Sequence, residues 1–146
     1  DLVNHDYDKK QSQTSIKNAL EFASKISRRK NVMFVISDFI DDNFWTEMKY
    51  LNFNHDVIGI QIYDLFEKEF PDLGLIKVHN SESNERVWID TSNEKVRSDF
   101  SKDFSKKLNT FAQRCKNIGF DLLQIGTNED YIKALTRFFK RRAKRT

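Results

Sequence analysis

Two acidic residues stand directly after apolar segments of the sequence, where they could take part in metal chemistry. Asp38 follows the apolar run 32–36 after a single serine, and Asp64 follows the apolar run 57–63. If both runs are parallel strands, their carboxyl ends meet at one edge of a sheet, which is where ligands bind in open α/β folds. Carboxylate oxygens are the ligands that Mg²⁺ prefers. The spacing therefore raises the hypothesis of a magnesium site at this edge.

Further oxygen-bearing side chains are expected at the same edge, namely Asp41, Asp42, Thr127, Glu129 and Asp130. Asp and Thr residues just before a helix usually cap it, because their side chains accept hydrogen bonds from first-turn N–H groups. From spacing alone we favour capping over metal binding for all of these except Glu129. Asp38 is harder to explain as a cap, since it lies between the buried run and the cap position.

No other arrangement of residues in the sequence points to catalysis. There is no glycine-rich phosphate loop, no Cys/His metal spacing and no serine nucleophile elbow. The three histidines, His5, His55 and His79, are scattered, and we expect surface or capping roles for them. Cys115 falls on the apolar stripe of a predicted helix, so we interpret it as a small buried residue and not as a nucleophile. We therefore predict a protein that is not an enzyme and has no certain cofactor.

One enzymatic alternative stays open. A metal-dependent nuclease or phosphoryl-transfer domain would use Asp38, Asp64 and Asp130, since two-metal chemistry needs converging carboxylates. A basic tail could then hold a nucleic acid backbone. Its residues all lie in the last seven positions and are Lys140, Arg141, Arg142, Lys144 and Arg145. We favour a solvated cluster at the negative end of a helix dipole, and do not expect nucleic acid as a partner.

The apolar runs predict the fold class. Run 32–36 is continuous and not alternating, which is typical of a strand buried on both faces of a parallel sheet, and segments 57–63 and 120–125 are interpreted as the second and third strands of that sheet. Segments 75–79 and 86–90 flank a polar turn and predict a β-hairpin inserted into the strand–helix alternation. The predicted class is therefore α/β, a three-layer open parallel sheet with flanking helices and a hairpin insertion.

Apolar residues at helical spacing fill the segments between these runs. Thr14 is the predicted cap of the first helix and Ser92 that of the longest one, which we expect to end at Gly119. Residues 1–13 are polar and without periodicity, so we interpret them as a disordered or extended segment. We expect a single domain at residues 14–146.

The composition is typical of a soluble globular protein in a reducing compartment. Of the 146 residues, 38% are hydrophobic and 32% charged, and the lone cysteine cannot form an internal disulfide. No apolar run approaches the roughly 20 residues that a membrane span needs. We expect a cytoplasmic protein.

Short motifs in a fixed order resemble the C-terminal half of the bacterial "domain of unknown function 58" family. They are TSIKNALEF at 14–22, VISDF at 35–39, HDVI at 55–58, DLG at 72–74, WIDTS at 88–92, DY at 130–131 and FFKRR at 138–142. The family is similar to von Willebrand factor A domains, and its members are often paired with MoxR-type AAA+ ATPases. The resemblance implies a partial von Willebrand factor A-like, Rossmann-like domain at 14–146 that is a non-enzymatic protein-interaction module.

The resemblance also implies a partial metal-ion-dependent adhesion site. In A-type domains this site uses an Asp-x-Ser-x-Ser turn, a distant Thr and a distant Asp; Thr14 and Asp38 match the last two by position. Nothing in residues 1–13 matches the turn, and a hard cation needs about six oxygens. The implied site at Thr14 and Asp38 would therefore hold Mg²⁺ or Mn²⁺ weakly.

An unpaired sheet edge follows from the same resemblance. In the A-type fold the strand at 32–38 pairs with a first strand that would lie upstream, so here its backbone groups would be exposed. We expect the edge to be covered by self-association into a homo-oligomer, by the N-terminal segment or by a hairpin. The other implied partners are an AAA+ ATPase or another A-type domain.

Overall fold

The computed structural model describes residues 15–79 and 86–145. The elements in chain order are α1 (Ile16–Ile26), β1 (Val32–Ser37), α2 (Trp45–Asn54), β2 (Asp56–Tyr63), α3 (Leu65–Lys68), β3 (Leu75–His79), β4 (Arg86–Asp90), α4 (Glu94–Asn117), β5 (Asp121–Gly126) and α5 (Tyr131–Ala143). Within these ranges, none of the helices combines the length and the apolar character that crossing a membrane requires.

The main sheet has three parallel strands in the order β1-β2-β5. Val35 stands opposite Gly59 on β2, and Ile60 of β2 stands opposite Leu123 on β5. Strands β3 and β4 pair antiparallel and form a separate two-stranded sheet. The prediction of a parallel α/β sheet with flanking helices and a hairpin is therefore confirmed.

Helices α1, α2 and α4 cover one face of the main sheet. Its core consists of Leu20, Phe39, Phe44, Met48, Leu51, Val57, Cys115 and Phe120. Phe44 stacks on Trp45 at a ring distance of 4.9 Å and also contacts Phe39 at 5.7 Å and Phe111 at 6.5 Å. Offset and edge contacts of this kind are favourable beyond the area that they bury. This aromatic cluster fixes α2 and α4 against the sheet.

Helix α5 covers the opposite face. Its Ala134 and Phe138 pack with Ile58, Ile60 and Ile125 of strands β2 and β5. At the far end of the helix, Arg142 forms ion pairs with Asp56 and Asp121, and Arg145 binds Asp121 at 3.0 Å. Part of the basic tail therefore holds α5 against the amino-terminal ends of β2 and β5, a role that the sequence did not predict.

Strand β1 was expected to be buried on both faces, and this expectation is wrong for one of them. Met33 and Val35 pack into the α1–α2–α4 core. Val32, Phe34 and Ile36, here called the β1 strip, are 58%, 51% and 65% exposed. The reason is that α5 packs mainly over β2 and β5, while its Phe139 meets Phe34 of the strip edge-on at a ring distance of 6.3 Å.

Two predicted helix caps are displaced by one residue. Helix α1 is capped by Ser15, whose hydroxyl accepts from the N–H of Asn18, and not by Thr14. Helix α4 is capped by Asn93, whose side chain accepts from the N–H of Lys95, and not by Ser92. Gly119 has a φ of +68° just after α4, in the left-handed region, so the predicted glycine stop is confirmed.

Candidate functional site

Asp38 lies directly beyond β1 at the carboxyl edge of the sheet, as predicted. Its Oδ1 accepts from the Ser37 hydroxyl and from the N–H of Ile40, both at 3.3 Å. Its carbonyl oxygen accepts from Nε2 of Gln61 on β2 at 3.0 Å, and Gln61 is buried. The carboxylate is exposed at the sheet edge and closes a short turn there.

The residue after Asp38 carries backbone strain. Phe39 has a φ of +56°, which is uncommon for a residue other than glycine and costs on the order of 1–3 kcal/mol. Its ring is buried against Phe44 and Phe111, so core packing holds the strained turn in place. The direction in which Asp38 leaves the sheet is therefore fixed by the core.

Asp64, at the end of β2, is part of a helix cap. Its Oδ1 accepts from the N–H of Phe66 at 2.8 Å, and Glu67 Oε2 accepts from the N–H of Asp64 at 3.2 Å. This reciprocal arrangement is a capping box that starts α3. The position of Asp64 at the sheet edge was predicted correctly, but its carboxylate serves the backbone.

Asp41 and Asp42 were expected to cap the second helix, and that expectation is wrong. Helix α2 begins only at Trp45, and its N-cap is Phe44, which makes no side-chain cap bond. Asp41 accepts from the N–H of Asn43 at 3.0 Å, and Asp42 accepts from Nε1 of Trp45 at 3.0 Å. Both carboxylates organise the loop that leads into α2.

Asp130, and not Thr127, is the cap of α5. Its carboxylate accepts from the N–H of Lys133 at 3.0 Å and forms an ion pair with the Lys133 ammonium at 3.1 Å. These bonds, first the one to the backbone, lower the pKa of Asp130. Glu129 accepts a hydrogen bond from the hydroxyl of Tyr63 at 3.0 Å. The pKa of Tyr63 is raised, mainly because the phenol is partly buried and also because the Glu129 carboxylate lies beside it.

The carboxyl edge does not gather its acidic side chains into one cluster. Across residues 15–79 and 86–145, no three His, Cys, Asp or Glu side chains converge in a way that could hold a metal ion. Asp38, Asp64 and Asp130 therefore do not form the converging set that the enzymatic alternative needs. Thr14 lies outside the described residues, so a weak Mg²⁺ or Mn²⁺ site at Thr14 and Asp38 stays a prediction, with Asp38 as its exposed member.

His55 has a structural role that its sequence position did not reveal. It is buried at the C-cap of α2, and its Nδ1 accepts from the N–H of Asn31 at 3.3 Å, which ties the end of α2 to the start of β1. His5 lies outside the described residues, as does the side chain of His79. The expectation of a surface position is therefore wrong for His55, whereas a capping role is confirmed.

Cys115 is fully buried in the α1–α2–α4 core, as predicted. Burial raises the pKa of its thiol from 9.0 to about 12. Because the thiolate is the reactive form, this sulfur is a poor nucleophile in the folded protein. We interpret Cys115 as a packing residue.

This burial makes the reactivity and pH dependence of Cys115 predictable. We expect a thiol reagent such as DTNB to modify the native protein on the order of 100-fold more slowly than the urea-unfolded chain at pH 8. The folded pKa is raised, so the stability that the neutral thiol contributes is present below pH 9 and is lost as pH rises from 9 towards 12. The free energy of unfolding of the wild type should therefore fall more steeply with rising pH over this range than that of Cys115→Ala. Rapid native labelling would contradict this assignment.

The sequence did not single out the most exposed apolar surface of the hairpin. Leu75 and Trp88, here called the hairpin surface, lie on the same face of the hairpin and are both exposed, and the Lys77 ammonium lies 5.6 Å from the centre of the Trp88 ring. The alternating pattern correctly indicated one wet face, but it assigned no role to Trp88. A tryptophan on the wet face of a two-stranded sheet was the signal that could have identified it.

A buried threonine joins the hairpin to the body of the protein. The Thr91 hydroxyl donates to the carbonyl of Gly74 at 2.6 Å and accepts from the N–H of Leu73 at 2.9 Å. The guanidinium of Arg97 on α4 donates to the carbonyl oxygens of Thr91 and Ser92. These hydrogen bonds fix the base of the hairpin against the start of α4.

These features define a mixed α/β protein with a short parallel sheet, helices on both faces and a hairpin beside it. The chain belongs to the family described as "Protein of unknown function DUF58", whose model matches residues 2–110. The predicted family is therefore confirmed.

Relatives of the chain are found in mycobacteria. It is 26% identical over 125 residues to the uncharacterized protein MAV169 of Mycobacterium avium. This match covers 85% of this chain and 73% of that protein. It is 25% identical over 123 residues to the uncharacterized proteins Mb1516 of Mycobacterium bovis and Rv1480 of Mycobacterium tuberculosis. Those matches cover 82% of this chain but only 38% of each relative. No solved structure matches the chain.

Proposed function

We propose that the protein is a non-enzymatic, cytoplasmic interaction module of the von Willebrand factor A-like kind that works with a MoxR-type AAA+ ATPase. The A-like kind and the ATPase come from the family resemblance, and the parallel sheet is compatible with them. The observation that carries the interaction role is the hairpin surface, because it exposes a tryptophan and a leucine on one face of a separate two-stranded sheet.

A hairpin of this kind gains from being covered. An isolated two-stranded sheet is marginally stable in water, since it buries little apolar area. Ile76 and Ile89 stand opposite each other on one face and are half-buried, whereas Leu75 and Trp88 lie on the other face and are exposed. A partner that buries this second face would stabilise the hairpin and gain affinity from the same contacts.

The second face also has the layout of a recognition surface. Trp88 stands opposite Lys77, and Leu75 stands opposite Asp90. Each apolar side chain on this face therefore has a charged side chain beside it on the neighbouring strand. Interfaces commonly place an aromatic anchor at the centre, where water is excluded, and polar or charged residues at the solvent-accessible rim. We therefore assign Trp88 as the anchor of the contact with the ATPase.

The test is the affinity for a purified MoxR-type ATPase from the same organism, measured by titration calorimetry. Trp88→Ala should weaken binding about 30-fold, the loss typical of a tryptophan hot spot. Phe53→Ala is the matched control, since Phe53 is 88% exposed on α2 and lies outside the hairpin. It should bind like the wild type.

A spectroscopic readout keeps this test independent of the heat signal. The chain has two tryptophans, so Trp45→Phe leaves Trp88 as the reporter. Its emission should shift to shorter wavelength when the ATPase buries it. If no heat is released and the emission of Trp88 does not move at saturating ATPase, the proposal fails.

A further inference from the structure

Four helices end at the same edge of the molecule, which is the edge where the strands of the main sheet begin. Helices α1, α2 and α4 each lead into the next strand along the chain, and α5 ends beside the starts of β2 and β5. Before β1, the N–H of Asn31 donates to Nδ1 of His55 at the end of α2. Arg142 of α5 pairs with the next residue, Asp56. The loop before β1 and the end of α5 therefore meet at the start of β2.

Basic side chains gather at this edge from two distant parts of the sequence. One group is the run at 28–30 in the loop before β1, and the other lies at the end of α5. All members are exposed, and none of them forms an ion pair with a carboxylate within residues 15–79 and 86–145. We call this set the basic edge, and its members are Arg28, Arg29, Lys30, Lys140, Arg141 and Lys144.

Neither the nearby carboxylates nor a helix dipole accounts for all of this charge. Asp56 and Asp121 begin β2 and β5, and both are already bound by other arginines at the end of α5. The negative end of a helix dipole favours basic residues in the last turn, and its effect falls off beyond that turn. The run at 28–30 follows α1 and its C-cap. Its three charges are therefore available to an outside partner.

Exposed apolar side chains lie among these basic groups. Phe53 in the last turn of α2 is 88% exposed, and Tyr50 one turn earlier is 62% exposed. Ile26, the last residue of α1, is 63% exposed. The bond that joins the loop before β1 to the C-cap of α2 brings the apolar and basic groups together. Proteins that rest on a bilayer surface combine basic side chains with protruding aromatic and aliphatic ones in this way.

The carboxyl edge of the sheet carries the opposite charge. Exposed carboxylates lie there, namely Asp38, Asp42, Asp64, Glu129 and Asp130. The length of the strands separates the two edges by about 20 Å. An extended anionic surface therefore attracts the basic edge and turns the acidic edge away from it. This separation of charge gives the molecule one preferred orientation on a charged plane.

We infer that the basic edge, together with Ile26, Tyr50 and Phe53, is a docking surface for a bilayer that contains anionic lipids. The six basic side chains bind headgroup phosphates, and Phe53 enters the interfacial layer. The apolar members favour a bilayer over a nucleic acid, because an aliphatic side chain gains from acyl chains and not from stacking on bases. The hairpin is fixed at the other end of α4, so this inference stands or falls independently of the ATPase contact.

The first test is flotation of the full chain with vesicles of phosphatidylcholine that contain about 30% phosphatidylglycerol, an anionic lipid. The wild type should bind these vesicles at physiological salt, lose binding as KCl is raised towards about 1 M, and not bind phosphatidylcholine alone. Each basic residue near an anionic surface contributes about fivefold to binding, so Arg28→Gln with Arg29→Gln should weaken it about 30-fold. Equal binding to both kinds of vesicle, or to neither, would overturn the inference.

Lys95→Gln with Lys102→Gln is the matched control, since it removes two charges from exposed positions in the first half of α4. Lys102 lies about 22 Å along the helix from its last residue, well beyond the screening length of about 8 Å in physiological salt. This variant should bind like the wild type. If it binds as weakly as the arginine variant, net charge alone is responsible and the docking surface is refuted. Retention by duplex DNA without vesicle binding would assign the basic edge to a nucleic acid and equally refute the proposal.

The second test measures whether Phe53 enters the bilayer. Phe53→Cys, labelled with an environment-sensitive fluorophore such as NBD, should shift its emission to shorter wavelength on the anionic vesicles. Phe66→Cys is the matched control, because Phe66 is 60% exposed on α3 at the acidic edge and its label should not respond. Cys115 is buried and does not take up the label in the native protein. A bound chain whose label responds at residue 66 and not at residue 53 contradicts the proposed orientation.

Discussion

Replacing Phe44 by alanine is expected to lower the free energy of unfolding by about 4 kcal/mol, the largest effect of any single truncation in the α1–α2–α4 core. Phe44 is fully buried and its ring contacts Phe39, Trp45 and Phe111. The loss has two parts, the transfer energy of the ring and the cavity that the rigid neighbours cannot close. Removing the Phe44 ring should also loosen the strained turn at Phe39, because contact with this ring helps to hold Phe39 in place.

Urea unfolding followed by circular dichroism measures this effect. Phe53→Ala removes the same side chain from an exposed site on α2, and should change stability by no more than about 0.5 kcal/mol. If Phe44→Ala costs less than twice the change in Phe53→Ala, the aromatic cluster does not stabilise the fold in the way described. Near-ultraviolet circular dichroism of the folded variant would report whether Trp45 has lost its fixed environment.

Replacing Gly59 by valine should be comparably damaging for the opposite reason, which is excess volume. A Cβ atom at residue 59 would lie 2.6 Å from two ring atoms of Phe120 and 3.1 Å from Leu122. Phe120 is buried, so its ring has little room to withdraw. Overpacking of this kind costs about 1–3 kcal/mol and sometimes more, and here it falls on the central strand of the sheet. We expect at least about 3 kcal/mol of destabilisation, measured by thermal and urea unfolding.

A double variant separates the steric cause from a general sensitivity of β2. Gly59→Ala alone should be destabilised, and Gly59→Ala with Phe120→Leu should recover part of the loss, since the shorter side chain vacates the space of the ring atoms. Ile60→Val, the neighbouring position on β2, is the control and should cost about 1 kcal/mol. Strictly additive losses in the double variant would count against a direct contact between residues 59 and 120.

The parts of the fold that the sequence predicted well are those written into local patterns. Three largely apolar segments indicated the strands, and their parallel direction followed from the helices between them, as the sheet confirms. Gly119 was recognisable because only glycine readily takes the left-handed conformation after a helix. Cap positions were one residue off at Thr14–Ser15 and Ser92–Asn93, because both members of each pair have a side-chain oxygen that can cap.

The parts that failed depend on what lies across the sheet. The exposure of the β1 strip could not be seen in the run 32–36, since an apolar run is the same whether or not a helix covers it. The burial of His55 and its bond to Asn31 depend on contacts between residues 24 apart in sequence. Asp38 and Asp64 were both placed correctly at strand ends. The capping box of Asp64 was not predicted, because it also requires Glu67 three residues later.

The ion pairs at the end of α5 restrict how the protein can respond to the uncovered strand beside it. Arg142 is bound by Asp56 at the start of β2 and by Asp121 at the start of β5, while Asp130 caps the other end of the helix beyond β5. A helix fastened at both ends cannot slide sideways to shelter the β1 strip without giving up these bonds. These contacts, together with the packing of Ala134 and Phe138, therefore oppose a shift of α5 over the strip.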